Sequence, residues 1–166
     1  WNTICLIAGL ALPPDMKLQD KVLEYLQTCN VLTLATNGVD GLWAAAVFYV
    51  NKDFTLYFLS DPATRHALNI INNPQVAATI QEDYKDWKKI KGIQLEGVVH
   101  KISGSKQADA IARYIGKFPL IGKQTPTEIG QALRLVSWYA LTPSLLYFID
   151  NSLGLGHRDR LDLKKD

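Results

Sequence analysis

The sequence predicts a mainly β protein, a closed antiparallel barrel of six or seven strands with two to three decorating helices. Short apolar runs rich in Val, Ile, Leu, Tyr and Phe recur between turn signals such as Asn37-Gly38, Asp40-Gly41 and Asn51-Lys52-Asp53. Segments with helical spacing are few and short, and a meander of this many strands leaves exposed edges unless it closes on itself.

Each element follows from its local pattern. Residues 1–15 hold an apolar run from Ile4 to Leu12, about half a membrane span, with no basic flank before it. We read them as an N-terminal extension that is not native, with the native start at Met16; the rival reading is a truncated signal or anchor. Leu18, Val22, Leu23, Tyr25 and Leu26 recur at three- and four-residue spacing, which predicts an amphipathic helix over 17–29. Strands follow over 31–36, 42–50 and 55–60, then a helix opening at Asp61-Pro62 and stopping at Asn72-Asn73-Pro74. Further strands are expected over 75–81 and 92–102, joined by a polar connection. A second short helix over 106–115 has Ser105 as its cap and Gly116 as its stop. A loop over 117–130, strands over 132–141 and 145–149, and a polar tail complete the chain. Two of these strands, LWAAAVFYV and WYALTPSLLYFI, are apolar on both faces, so their outer sides require cover from a helix or a partner subunit.

The composition narrows the function classes. With 166 residues, 48% of them hydrophobic, the chain builds one core of ordinary size, so 16–166 is expected to be a single domain. A net charge of +2 with scattered basic residues is a poor footprint for nucleic acid, and no membrane association is expected. The two cysteines, Cys5 and Cys29, form no CxxC and have no histidine at ligand spacing. Neither a metal site nor a disulfide framework is indicated, and a cytoplasmic location fits.

The stretch LYFLSDPATRHALNIINNPQV gathers Ser60, Thr64, Arg65 and His66 around one helix start. A helix N-terminus with a guanidinium and an imidazole suits a phosphate. Simple capping by Asp61-Pro62 explains the same residues without a ligand.

The order of these elements, with a hydroxyl residue ending a strand, a basic pair in the next helical turn and Asn-Asn-Pro before the following strand, resembles the pyridoxamine 5′-phosphate oxidase-like superfamily over about residues 18–150. The stretch DNSLGLG is similar to that of a bacterial oxidase-related subgroup. The resemblance implies a six-stranded FMN-binding split β-barrel of Greek-key type, a homodimer with the cofactor at the interface, and an FMN-dependent oxidoreductase. It places Ser60, Thr64, Arg65 and His66 on the FMN phosphate, with Leu59 beside them, the backbone of Ala45, Ala46 and Val47 along the isoalloxazine edge, and Gln94 near the ring. Small side chains at 44–46 would let a flat ring lie on the strand, or merely admit a packed helix; Gln94 is equally readable as an exposed strand residue. The substrate class implied is a small organic molecule with NAD(P)H as a possible electron donor. An FMN carrier or sensor, and a cofactor-free or heme-related interaction protein, are the alternatives. The chain departs from the oxidase itself: Tyr49 stands where a lysine closes the strand, and HRDRL lacks the oxidase's Arg-Leu-His-x-Arg order, so a pyridoxine phosphate is not expected.

Overall fold

A computed structural model describes residues 16–119 and 135–164. The extension over 1–15, most of the loop over 117–130 and the first residues of the strand expected from 132 lie outside the described residues. The elements run α1 (Leu18–Thr28), β1 (Val31–Gly38), β2 (Gly41–Lys52), β3 (Thr55–Ser60), α2 (Arg65–Asn72), β4 (Gln75–Gln81), β5 (Lys91–Ile102), α3 (Gly104–Lys117), β6 (Ser137–Asp150) and β7 (Arg158–Asp162).

Every strand pairing is antiparallel, in the order β3-β2-β1-β4-β5-β6-β7, and β3 also pairs with β6. That last pairing, Leu56 opposite Leu141 through Ser60 opposite Ser137, closes six strands into a barrel. β1, β2 and β3 form a meander, α2 crosses over, and β4 returns to the far side of β1, a Greek-key path. The described residues therefore form the expected six-stranded, mainly β barrel, with three α-helices where two to three were expected.

Alternation sorts the side chains. Leu32, Leu34, Tyr49, Leu56, Phe58, Ile80, Ile93, Leu141, Leu146 and Phe148 fill the interior, and α1 caps it with Val22, Tyr25 and Leu26. The Tyr49 hydroxyl donates to the Leu26 carbonyl at 2.8 Å, so the buried phenol is satisfied and ties the helix to the barrel. A second cluster, Val50, Ile102, Ala110, Tyr114 and Trp138, lies on the outer side of the wall under α3. The outer cover expected for the double-faced strands thus divides. α3 covers Val50 and Trp138, whereas Leu42 and Phe48 on β2 stay 80% and 53% exposed.

Several boundaries differ from the sequence expectation. The two strands expected over 132–141 and 145–149 are one strand, β6. Pro143 does not break it: it stands opposite Gly97 on β5, at a register shift, and on its other side β6 pairs with β3 only up to Leu141 and with β7 only from Leu145, so no strand there needs a proline N–H. The register against β5 shifts at Glu96/Gly97, and a Cβ on Gly97 would lie 2.4 Å from the Thr142 carbonyl oxygen. The polar tail contributes β7, whose single buried residue is Leu161. α3 is capped at Ser103 rather than Ser105 and runs through Gly116 to Lys117, since the Phe118 amide still bonds the Tyr114 carbonyl. No helix among the described residues is long and apolar enough to cross a membrane.

Gly97→Ala should cost about 1–3 kcal/mol of stability, the usual penalty for forcing a methyl group against backbone. Urea unfolding checks this, as a lower midpoint with an unchanged slope.

Candidate functional site

The barrel is split along β2. β3 pairs with β2 only from Tyr49 to Lys52, so the edge of β2 over 42–48 has no strand partner among the described residues. In an antiparallel strand alternate residues turn their N–H and C=O to the same side. Leu42 is one that faces the gap, because its carbonyl lies 3.5 Å from Arg65 Nη2, so Ala44, Ala46 and Phe48 follow by alternation. The side chain of Ala45 is half-buried opposite Leu34, that of Val47 is buried opposite Leu32, and Ala46 lies exposed opposite Thr33.

α2 sits at the end of this gap, and its start differs from the expected Asp61-Pro62 opening. The helix begins at Arg65, with Thr64 in the capping position. Asp61 instead makes a turn: its carboxylate accepts from the Ala63 amide at 2.8 Å, and its carbonyl accepts both the Thr64 amide (3.1 Å) and the Thr64 hydroxyl (2.8 Å). Because Thr64 turns its hydroxyl back, no side chain caps the helix, and the first-turn amides point outward without a side-chain acceptor.

Three of the expected residues converge here. Ser60 Oγ lies 2.7 Å from His66 Nε2 and 3.1 Å from Thr64 Oγ1, and Thr64 Oγ1 lies 3.3 Å from His66 Nε2. Ser60 and His66 are 8% and 7% exposed, so the pair is shielded from bulk water. Burial pushes the imidazole below the usual histidine range, which leaves it neutral at pH 7. The contact also supplies a hydroxyl–imidazole pair that sequence motifs do not display, although no carboxylate bonds the ring among the described residues, so the third member of a hydrolytic triad is missing.

Arg65 is next in sequence but directed elsewhere. Its Nη2 donates to the Asp40 carbonyl at 2.6 Å in the β1–β2 turn, and its guanidinium carbon stands 4.7 Å from the centre of the Trp43 ring. Its Nε is buried with no partner among the described residues. An orphaned charged donor of this kind is costly unless an acceptor arrives, so the residues present fit an anion. Leu59 turns its side chain toward the α3 cluster and adjoins the site only through its backbone. Gln94 is exposed on the outer face of β5, in register with Thr79 on β4; it is three strands from Ala46 and is not brought to Ser60 and His66 within one protomer.

Sequence reasoning missed the support beneath the site. Buried Asn69 donates to Thr36 Oγ1 at 3.1 Å and packs so closely on Gly38 that a Cβ there would fall 2.0 Å from its Oδ1. Asn69 falls four residues after Arg65 on α2, but its partners lie more than thirty positions away, and only the fold brings them together.

Comparison with known proteins accords with this architecture. A family model described as pyridoxamine 5′-phosphate oxidase matches residues 18–150. A UPF0306 protein of Photorhabdus laumondii is 36% identical over 138 residues, covering 81% of this chain and 89% of the relative. One from Klebsiella pneumoniae is 31% identical over 137 residues, covering 81% and 86%. Similar solved structures include HutZ, a heme storage protein of Vibrio cholerae (TM-score 0.64, 24% identity, 77% of this chain and 91% of that one). Campylobacter jejuni ChuZ has a TM-score of 0.72 at 14% identity, over 88% of this chain and 59% of that one. The likeness to these structures is one of fold. Because the family match spans the whole barrel and its relatives align over most of their own length, the chain belongs to the pyridoxamine 5′-phosphate oxidase family and, within it, stands with the UPF0306 proteins.

Proposed function

We propose that the protein is an FMN-binding flavoprotein that oxidises or reduces a small organic substrate, with NAD(P)H as the electron donor. The observation that carries this is the convergence of Ser60, Thr64 and His66 at an uncapped helix start, beside the orphaned Arg65 Nε and the unpaired edge of β2. The hydroxyls, the imidazole and the α2 amides would hold the phosphate, and Arg65 Nε would gain its missing acceptor. The free N–H and C=O groups of Ala44 and Ala46 would meet the polar edge of the ring, with the small side chains at 44–46 letting it lie close. Bound FMN supplies the hydride-accepting chemistry, and the protein's task is to orient and desolvate it.

A homodimer is part of this reading. Leu42, Phe48, Leu68 and Ile71 are 80%, 53%, 50% and 70% exposed along β2 and α2, an apolar border that a second copy would bury. Gln94 would then reach the ring from the second copy, since within one protomer it lies three strands around the barrel from Ala46. Cys29, buried and free among the described residues, suits a reducing cytoplasm.

Heme is the alternative ligand, favoured by the descriptions of HutZ as a heme storage protein and of a Mycobacterium smegmatis protein, with a TM-score of 0.65 at 20% identity, as heme binding. Two of the three histidines oppose it, since His66 Nε2 is engaged with Ser60 and His157 Nε2 with Asp159.

The visible absorption spectrum of the protein as purified should show the two broad flavin bands, bleached by NAD(P)H without oxygen. A single intense Soret band would overturn the reading in favour of heme, and flavin bands that NAD(P)H leaves unchanged would indicate a carrier. Arg65→Ala should weaken FMN binding by about 2 kcal/mol, roughly thirtyfold. Quenching of FMN fluorescence measures it; an unchanged affinity in a folded variant removes Arg65 from the site.

A further inference from the structure

We propose that Ser60 and His66 form a proton-operated latch, which admits a phosphate monoester dianion only with the uptake of one proton. This rests on reading the cluster as a phosphate site and goes beyond it by assigning how the site changes charge.

The contacts are compatible with one exchange. The Thr64 hydroxyl spends its proton on the Asp61 carbonyl at 2.8 Å, so toward Ser60 and His66 its oxygen is an acceptor. The latch assigns the neutral ring's proton to Nδ1, so that the shortest contact, 2.7 Å, runs from the Ser60 O–H to the Nε2 lone pair; the same hydroxyl also lies 3.5 Å from the Asp61 carbonyl. In that state the latch is closed: Ser60 donates inward, His66 offers no N–H at Nε2, and the nearby positive charge is Arg65, already drawn to the Asp40 carbonyl. A proton added to Nε2 changes both residues at once. The nitrogen becomes a donor, the ring becomes cationic, and the Ser60 O–H is released to a second oxyanion contact. No bond other than N–H and O–H is made or broken. The proton comes from solvent when the ligand is a dianion, and from the ligand itself below its second ionisation near pH 6.

The groups around the ring do not supply this charge otherwise. Arg65 lies on the same helix, Asp61 precedes it, Asp40 sits in the β1–β2 turn, and β6 sets the uncharged Ser137 opposite Ser60, while the Tyr139 phenol stacks on Phe58 in the core, its ionisation opposed first by burial. A lysine in place of His66 would be charged throughout the neutral range and would make the site insensitive to pH. Histidine makes affinity track proton activity.

The sign follows for the ligand-free protein. Burial lowers the His66 pKa, so on acidification the unfolded chain takes the proton first. Its contribution to stability is therefore complete above the ordinary histidine range and is lost as pH falls through that range. A bound phosphate reverses the sign.

Two measurements test the latch. The imidazole Cε1–H resonance of His66, identified by its loss in His66→Gln, should titrate below the ordinary histidine midpoint in phosphate-free buffer. Saturating inorganic phosphate should move the midpoint up by about one pH unit or more; a midpoint that phosphate does not move overturns the latch. Above the ligand's second ionisation near pH 6, where the proton must come from solvent, FMN affinity should fall about tenfold per pH unit until the midpoint of the bound protein is passed, as one-proton linkage requires. It should be nearly flat from neutral to mildly alkaline pH in His66→Lys. Equal pH slopes in the two proteins also overturn it. Phosphate that shifts His66 in a protein with no FMN affinity would instead sink the flavin reading and leave the latch standing.

Discussion

β3 is six residues long and is shared between two neighbours, and the rest of the architecture depends on how it divides its edges. One edge pairs with β6 over its full working length and closes the barrel. The other takes only the last four residues of β2, Tyr49 to Lys52, and parts from β2 after Phe58, two residues before β3 ends and the chain turns into α2. That edge of β2 is left without a strand partner among the described residues over 42–48, next to the residues that follow β3. Closure of the core and opening of the cleft are thus one event, and the cleft's polar rim is strand edge rather than loop.

The start of α2 extends the same logic. A side-chain cap would stabilise the helix by about 1 kcal/mol, and the chain forgoes it, turning Thr64 back onto the Asp61 carbonyl. The helix is seated instead by tertiary contacts: buried Asn69 on Thr36 and Gly38, Ala67 and Ile70 in the core, and Arg65 on Trp43 and the β1–β2 turn. Stability supplied from below leaves the helix end free to meet a ligand. The cost is concentrated in two places, the buried neutral imidazole and the orphaned Arg65 Nε, both of which an anion would relieve.

Much of this was legible in the sequence because it is local. Short apolar runs between turn signals and polar connections located β1 to β5, and three- and four-residue spacing located α1. Ser60, Thr64 and His66 lie within seven positions of one another, so their convergence follows once a strand and a helix meet. The direction of Arg65 was not legible, since its partner Asp40 is 25 positions away. Nor was the continuity of β6, because proline reads as a break unless its position relative to β3 and β7 is known. β7, Arg-Asp-Arg-Leu-Asp, carries one apolar residue and has almost no strand signal of its own. It is a strand because β6 offers it an edge.

That edge has a meaning for the protein's behaviour in a crowded solution. β6 parts from β3 after Leu141, and Leu145–Ile149 would otherwise present a bare, apolar ladder that any extended chain could join. β7 fills the ladder and then ends it: Arg158, Asp159, Arg160 and Asp162 line the new rim, and the Arg160–Asp162 pair at 2.9 Å sets opposite charges along it. A short, alternately charged strand is a poor template for further growth. The segment that reads as a solvated tail acts as the barrel's selvedge, keeping an open-sided sheet from recruiting its neighbours.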